Sequence, residues 1–439
     1  MFTALIYAVR GAKRMLYACA LTLALCSIAI VTVAYAQPVL TLDQALRLAQ
    51  DRSRQLVAQD YAAASAREMA VAAAQLPDPT LTAGINNLPI NGADKFSLTR
   101  DFMTMRSVGV MQEFTRDDKR QARAARFERE AEVAQAGRTQ MLANLQRDTA
   151  LAWLDRYYQE RIREVLTAQR DEARLQVEAA DAAYRGARGS QADVFAARTA
   201  VAQIEDRIAQ ADLQIATAKS RLARWIGDSA SLPLGSAPAM DAATVESTGV
   251  EVHVLHHPQI DLLLKQEQVA RADVDVAQAN KRADWSAELM YSQRGPAYSN
   301  MISINFSIPL QLDRKNRQDR ELAAKLALID QLQAQRDEVT REHVADVRTW
   351  LQQWRSSRDR LARYDSSLLP LAAERARAAA AAYRGGSAPL ATVLEARRME
   401  IDIRLERVRL EMENAGAWAQ LEYLIPQTGL GSLAKGELR

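Results

Sequence analysis

The chain has 439 residues, with 57 Lys plus Arg against 54 Asp plus Glu, a formal charge of +3, 48% hydrophobic residues and two cysteines. This length suggests two or three domains. The charge balance excludes a strongly basic nucleic-acid binder. A charged fraction of 25% and a mean hydropathy of -0.25 exclude a bundle of many membrane helices, and two cysteines exclude a disulfide scaffold or a Cys-rich zinc module.

The first segment reads as an export signal. Arg10, Lys13 and Arg14 precede an apolar run over residues 16–33, and Ala34-Tyr35-Ala36 supplies a small-x-small cleavage site. An uncleaved N-terminal anchor is the alternative. A lipoprotein signal fails, because Leu25 precedes Cys26 and the apolar run follows Cys19 rather than preceding it. Cleavage would leave a chain from residue 37 with no cysteine and equal numbers of acids and bases. No second run is long and apolar enough to span a membrane as a helix, so crossing an outer membrane would require a closed β-barrel.

Residues 42–76 read as helical. Two short runs follow, near 80–86 and 106–114, in which the period changes to two: Leu81, Ala83 and Ile85 share one face, as do Val108 and Val110. From Asp118 to Tyr184 there is no proline and Gly137 is the sole glycine, which predicts a helix about 100 Å long. Glycines at 186 and 189 then mark a turn, and Ser190 with Asp193 resembles a capping box opening a return helix. That helix carries a heptad seam at Val194, Ala197, Val201, Ile204, Ile208, Ala211, Ile215, Ala218, Leu222 and Trp225.

The pattern then recurs. After a Pro-, Gly- and Ser-containing linker, residues 258–281 read as helical. Trp285, Ala287, Leu289 and Tyr291 alternate with polar neighbours, and so do Ile302, Ile304, Phe306 and Ile308. A second long helix follows, which Pro370 should kink or break. A second turn comes next, with Gly385, Gly386 and, in the first helical turn beyond, Pro389. A weaker seam closes the copy: Leu394, Ile401, Leu405, Val408, Met412, Ala415 and Ala419, interrupted by Arg398. Residues 184–198 and 383–397 align without a gap, identical at seven of fifteen positions. The expected division is a signal peptide (1–36), a first repeat (37–230), a linker (231–257), a second repeat (258–426) and a tail (427–439). The fold class is mainly α, with duplicated long helical hairpins and four β-strands. Four strands cannot close a barrel, for which about eight is the small end, so a membrane barrel would need several copies.

These features together resemble the TolC family of outer-membrane efflux channels. The resemblance covers residues 37–426. Its strongest matches are the tips AAYRGARGSQADVFAAR and AAYRGGSAPLATVLEARR, then SVGVMQEFTRDDKR and ISINFSIPLQLDRKNR. Leu88-Pro89 and Asp101-Phe-Met-Thr-Met105 are similar to the heavy-metal branch of CzcC or CusC type. The resemblance implies a homotrimer with a 12-stranded barrel in outer-membrane lipid and a periplasmic α-barrel. It implies docking of a periplasmic adaptor and an inner-membrane RND-type pump, and passive conduction of metal cations. It places adaptor docking at Tyr184, Arg185, Gly186, Ala187, Gly189, Ser190, Tyr383, Arg384, Gly385, Gly386 and Ser387. The family's tip glycine falls on Ala187 in the first copy, so Gly186 or Gly189 is expected to take its role. Asp193 falls where relatives carry a gate acid, although Thr392 replaces it in the second copy, and a plain helix cap explains it as well. A periplasmic coiled-coil adaptor or scaffold is the competing reading.

His253, His256 and His257 cluster before Pro258, but no Cys, Asp or Glu completes a ligand set. Met103, Met105 and Met111 could be soft copper ligands, yet strand residues are the simpler reading. No phosphate loop and no nucleophile signature is present. No catalysis, cofactor, metal site or nucleic-acid partner is expected.

Overall fold

The computed structural model describes residues 39–427. The segment expected to be an export signal (1–36) and the tail beyond 427 lie outside the described residues. The chain opens with α1 (Leu42–Arg52), held by a capping box between Thr41 and Gln44. The helix expected over 42–76 is in fact two. Ser53 adopts an extended conformation (φ -69°, ψ 107°) and its hydroxyl accepts the N–H of Leu56. A serine that caps locally competes with helix continuation, so α2 (Arg54–Ala73) starts afresh.

Two strands, β1 (Thr80–Asn86) and β2 (Met105–Phe114), lead into α3 (Asp117–Arg185), a 69-residue helix. Its return partner α4 runs Gln191–Ile226 and ends in a 3-10 turn, Gly227–Ser231. Short helices α5 (Thr244–Thr248) and α6 (Val250–Leu255) precede α7 (Pro258–Asn280). The helix–strand–strand–helix–helix order then repeats with β3 (Trp285–Gln293), β4 (Met301–Ser307), α8 (Gln318–Arg363), α9 (Leu369–Arg384) and α10 (Leu390–Glu422). Among the described residues no helix is long and apolar enough to cross a membrane.

Pro370 has the expected effect, in a specific form. One turn of π-helix, Tyr364–Leu368, separates α8 from α9, and the Leu369 N–H donates to the Tyr364 carbonyl. Proline lacks the N–H that a regular helix needs, and the wider turn accommodates that loss without ending the helix. Pro389 sits one residue earlier than expected, at the N-cap of α10.

The α4 seam buries Val194, Ala197, Ile204, Ile208, Ala211, Ile215, Ala218 and Leu222 as expected. Val201 is half-buried, and the last knob is Ile226 rather than Trp225, whose ring lies under the Arg224 guanidinium at 4.6 Å. In α10 the seam near the turn is Leu390, Val393 and Ala396, with Leu394 half-buried. Alanines from all four helices around the turns allow close approach: Ala180, Ala197, Ala376 and Ala396 are buried together.

The largest core lies where the N-terminal segment and the linker cross the long helices. Three indole N–H groups donate to carbonyls there: Trp153 to Leu40 (3.2 Å), Trp354 to Met240 (3.3 Å) and Trp418 to Ala242 (3.2 Å). Leu40 and Leu234 add a parallel β-bridge. Arg156, 2% exposed, donates to the carbonyls of Ala230 (2.6 Å) and Leu232 (2.9 Å) and pairs with Glu160.

Candidate docking turns and barrel sheet

Both hairpin turns are Schellman motifs. In the first, Ala187 N–H donates to Tyr184 O (3.0 Å) and Arg188 N–H to Ala183 O (2.9 Å); in the second, Gly386 donates to Tyr383 (3.0 Å) and Ser387 to Ala382 (2.9 Å). The left-handed residue is Ala187 (φ 55°) in one and Gly386 (φ 74°) in the other. Gly186 (φ -82°) and Gly385 (φ -79°) are not left-handed. The expectation that Gly186 or Gly189 replaces the missing tip glycine is therefore corrected. Both serve close packing instead: a Cβ at Gly186 would lie 3.3 Å from Ala182 O, and one at Gly189 would lie 3.2 Å from the Ala183 Cβ. The Schellman bonds require the positive φ at one particular residue, and the sequence spacing places an alanine there.

The two turns are not equivalent at their rims. Tyr184 and Arg185 are exposed, and Arg185 pairs with Asp181. Tyr383 packs on the small alanine core, while Arg384, Gly385, Gly386 and Ser387 are exposed. In the second turn the Ser387 hydroxyl adds a bond of its own, donating to Ala382 O at 3.1 Å. Arg188 is the residue aligned with Ser387 in the first turn, and it has no hydroxyl to repeat that contact.

Ser190 and Asp193 form the predicted capping box at the start of α4. The Asp193 N–H donates to the Ser190 hydroxyl (3.2 Å), and the Asp193 carboxylate accepts from the Ser190 N–H (3.0 Å) and hydroxyl (2.7 Å). The hydroxyl bond, then the backbone bond, hold the Asp193 carboxyl below the usual aspartate range. At the second turn Pro389 offers no side-chain cap, and Thr392 donates only its N–H, to Pro389 O.

The four strands form one antiparallel sheet in the order β1-β2-β3-β4. The register aligns Leu81, Val110, Leu289 and Ile304 in one cross-strand row, and Ala83, Val108, Tyr291 and Ile302 in the next. This apolar face is open: Leu81 is 70% exposed, Leu289 57% and Ile304 63%. At its helix-proximal end Phe114 stacks on Trp285 with ring centroids 4.2 Å apart. The opposite face is polar, and Lys119 pairs with Asp284 (2.6 Å) where the sheet meets the helices. Alternation in the sequence locates the strands but cannot bring Leu81 and Leu289, far apart in the chain, into one row.

The discounted residues fall as follows. Met105 and Met111 lie in β2 and Met103 in the preceding loop. His257 caps α7, its Nδ1 accepting the Gln259 N–H (3.2 Å), and its ring lies 4.1 Å from that of His343. Burial, then the neighbouring His343, Arg147 and His253, push the His257 pKa down to about 3. Among the described residues no group of three or more His, Cys, Asp or Glu is placed to hold a metal ion.

No protein-family model and no curated protein sequence matches the chain. Solved structures do. The CmeC outer membrane channel of Campylobacter jejuni superposes with a TM-score of 0.71 at 11% identity, over 88% of this chain and 86% of that one. The MtrE outer membrane channel of Neisseria gonorrhoeae, in its open state, gives 0.70 at 15% identity over 87% and 88%. CusC, described for its folding and transmembrane channel formation, gives 0.72 at 14% identity over 88% and 92%. The chain has the fold of these channels.

Proposed function

We propose that this chain is the outer-membrane channel of a tripartite efflux system, a passive duct rather than an enzyme. One observation carries the reading. The sheet exposes a whole apolar face and leaves an edge of β1 and an edge of β4 unpaired. An open edge is not tolerated in a bilayer, and pairing β4 of one copy with β1 of the next removes it. Three copies supply twelve strands, within the size range of membrane barrels. The apolar face then meets lipid, and the long helices extend the duct into the periplasm. The fold shared with known outer-membrane channels supports this reading.

The proposal extends to the division of the chain into repeats at 37–230 and 258–426, and to the docking of a periplasmic adaptor at the two turns, with an RND-type pump behind it. Asp193 is proposed as a gate acid in addition to its capping role. Metal cations are the proposed cargo. Fractionation with boiled and unboiled gels tests the core of the reading: a heat-sensitive trimer in the outer membrane is expected, and a wholly soluble monomer would instead favour a periplasmic adaptor or scaffold. Cells lacking the gene should lose tolerance to copper, zinc or cobalt. Loss of tolerance to organic drugs alone would overturn the metal assignment.

A further inference from the structure

The chain passes from the sheet into a long helix twice, and the two crossings differ. The first takes two residues, Thr115 and Arg116, between β2 and α3. The second takes ten, residues 308–317, between β4 and α8. Ile302, Ile304 and Phe306 lie on the apolar face of β4, and Ile308, Leu310 and Leu312 carry the same spacing past its end. Leu310 is 79% exposed and Leu312 90%. Arg314, Lys315 and Arg317 follow, all exposed.

Charge separates the two crossings as well. At the first, Arg116 pairs with Asp118 (3.3 Å), Lys119 with Asp284 (2.6 Å) and Arg120 with Asp117 (3.0 Å). The bases after α7 are engaged too, Lys281 by Asp319 (2.7 Å) and Arg282 by Asp118 (2.9 Å). Among the described residues, Arg314, Lys315 and Arg317 have no acid within ion-pair distance. The one acid of the segment, Asp313, accepts instead from the Asn316 N–H (3.3 Å) and side-chain amide (3.0 Å). The segment is tied to α7, because the Gln311 amide donates to the Asn280 carbonyl at 3.1 Å. Three unpaired bases therefore stand behind three exposed apolar side chains, just beyond the ring contacts of Phe114, Trp285 and Phe306.

We propose that residues 308–317 anchor the channel in the periplasmic leaflet of the outer membrane, with Leu310 and Leu312 in the interface and Arg314, Lys315 and Arg317 on the phosphates of anionic phospholipids. The inference rests on the channel reading above, which puts the apolar face of β4 against lipid. Aromatic girdles mark the edges of the apolar band of a membrane barrel. A segment that leaves the sheet just past Phe306 thus emerges at headgroup depth on the helix side. Exposed leucines gain by entering the interface there. Arginine and lysine stems lie along the acyl boundary while their charged ends stay among the headgroups, and unpaired bases at that depth attract anionic lipid. The first crossing shows that the join from strand to helix itself needs neither feature.

The test is the phospholipid retained by the trimer. The purified full chain is reconstituted in vesicles of mixed phosphatidylcholine and phosphatidylglycerol and re-extracted in mild detergent. It should carry phosphatidylglycerol in excess over the share in the vesicle. Each base near an anionic surface counts for about fivefold in binding, so the excess should fall at least that far in Arg314→Gln/Lys315→Gln/Arg317→Gln. Lys95→Gln, in the loop between β1 and β2 at the opposite rim, should keep it. No excess in a wild-type trimer overturns the inference and leaves the channel reading standing. An equal fall in both variants also overturns it, because charge would then act without regard to place. A triple variant that no longer forms the trimer assigns the three bases to the next copy rather than to lipid, and overturns it too. A wild type that forms no trimer removes the channel reading, and this inference with it.

Discussion

Ala187 and Gly386 occupy the same left-handed position in two Schellman turns built from the same backbone hydrogen bonds. No atom lies within 4 Å of a Cβ built on Gly386, so the difference between the turns is conformational rather than steric. A left-handed alanine costs about 1 kcal/mol relative to glycine. Ala187→Gly should therefore raise the thermal midpoint, and Gly386→Ala should lower it by a similar amount. Equal and negligible shifts in a melting experiment would count against the assigned geometry.

The cap at the first turn should be pH-dependent. Ser190→Ala removes the acceptor for the Asp193 N–H and should cost about 1 kcal/mol. The Asp193 pKa is lowered in the fold. Its contribution is therefore present above the ordinary aspartate pKa and lost as pH falls through the folded value. Asp193→Asn should be less stable than the wild type at neutral pH, and the difference should shrink as pH falls below the ordinary aspartate range. Melting curves across that range check the sign.

The two faces of the sheet should respond oppositely to one substitution. Leu289 and Ile304 share an apolar row, whereas Ser303 faces the other way, opposite Met290. An arginine on a lipid face costs about 2–4 kcal/mol near the bilayer midplane. Leu289→Arg should abolish the heat-sensitive trimer on an unboiled gel, and Ser303→Arg should retain it.

His257 supplies a second pH dependence. Its pKa falls from 6.5 to about 3 on folding. The stability it contributes is full above the unfolded value and is lost as pH drops from there towards the folded value. The wild type should lose about 2 kcal/mol between about pH 7.5 and pH 5 through this group. His257→Asn can still cap the helix without titrating, so its unfolding free energy should vary less over that interval.

Arg156 ties the linker to α3 through the Ala230 and Leu232 carbonyls. Arg156→Met would strand both carbonyls and leave Glu160 without this partner, at a cost of about 3 kcal/mol. Protease cleavage within residues 230–240 should then accelerate before cleavage elsewhere.

Much of this architecture is legible in the order of residues. The change from heptad spacing to alternation locates all four strands, and the lack of proline predicts the length of α3. These are local signals, set by side-chain period and backbone propensity. The break at Ser53 is hidden because a serine looks alike inside a helix and at its cap. The shift from Trp225 to Ile226 is hidden because the partner helices, not the heptad itself, decide which neighbouring apolar residue turns inward.

The candidate site divides in the same way. The sequence alone determined the duplicated turns, the Ser190 and Asp193 cap and the apolar alternation, all of which act within a few residues. Only the tertiary structure decided that Ala187 carries the left-handed angle, that four distant strands share one apolar face, and that Lys119 pairs with Asp284. Those features depend on register between segments that lie far apart in the chain, and register is set by packing and cross-strand hydrogen bonds rather than by local preference.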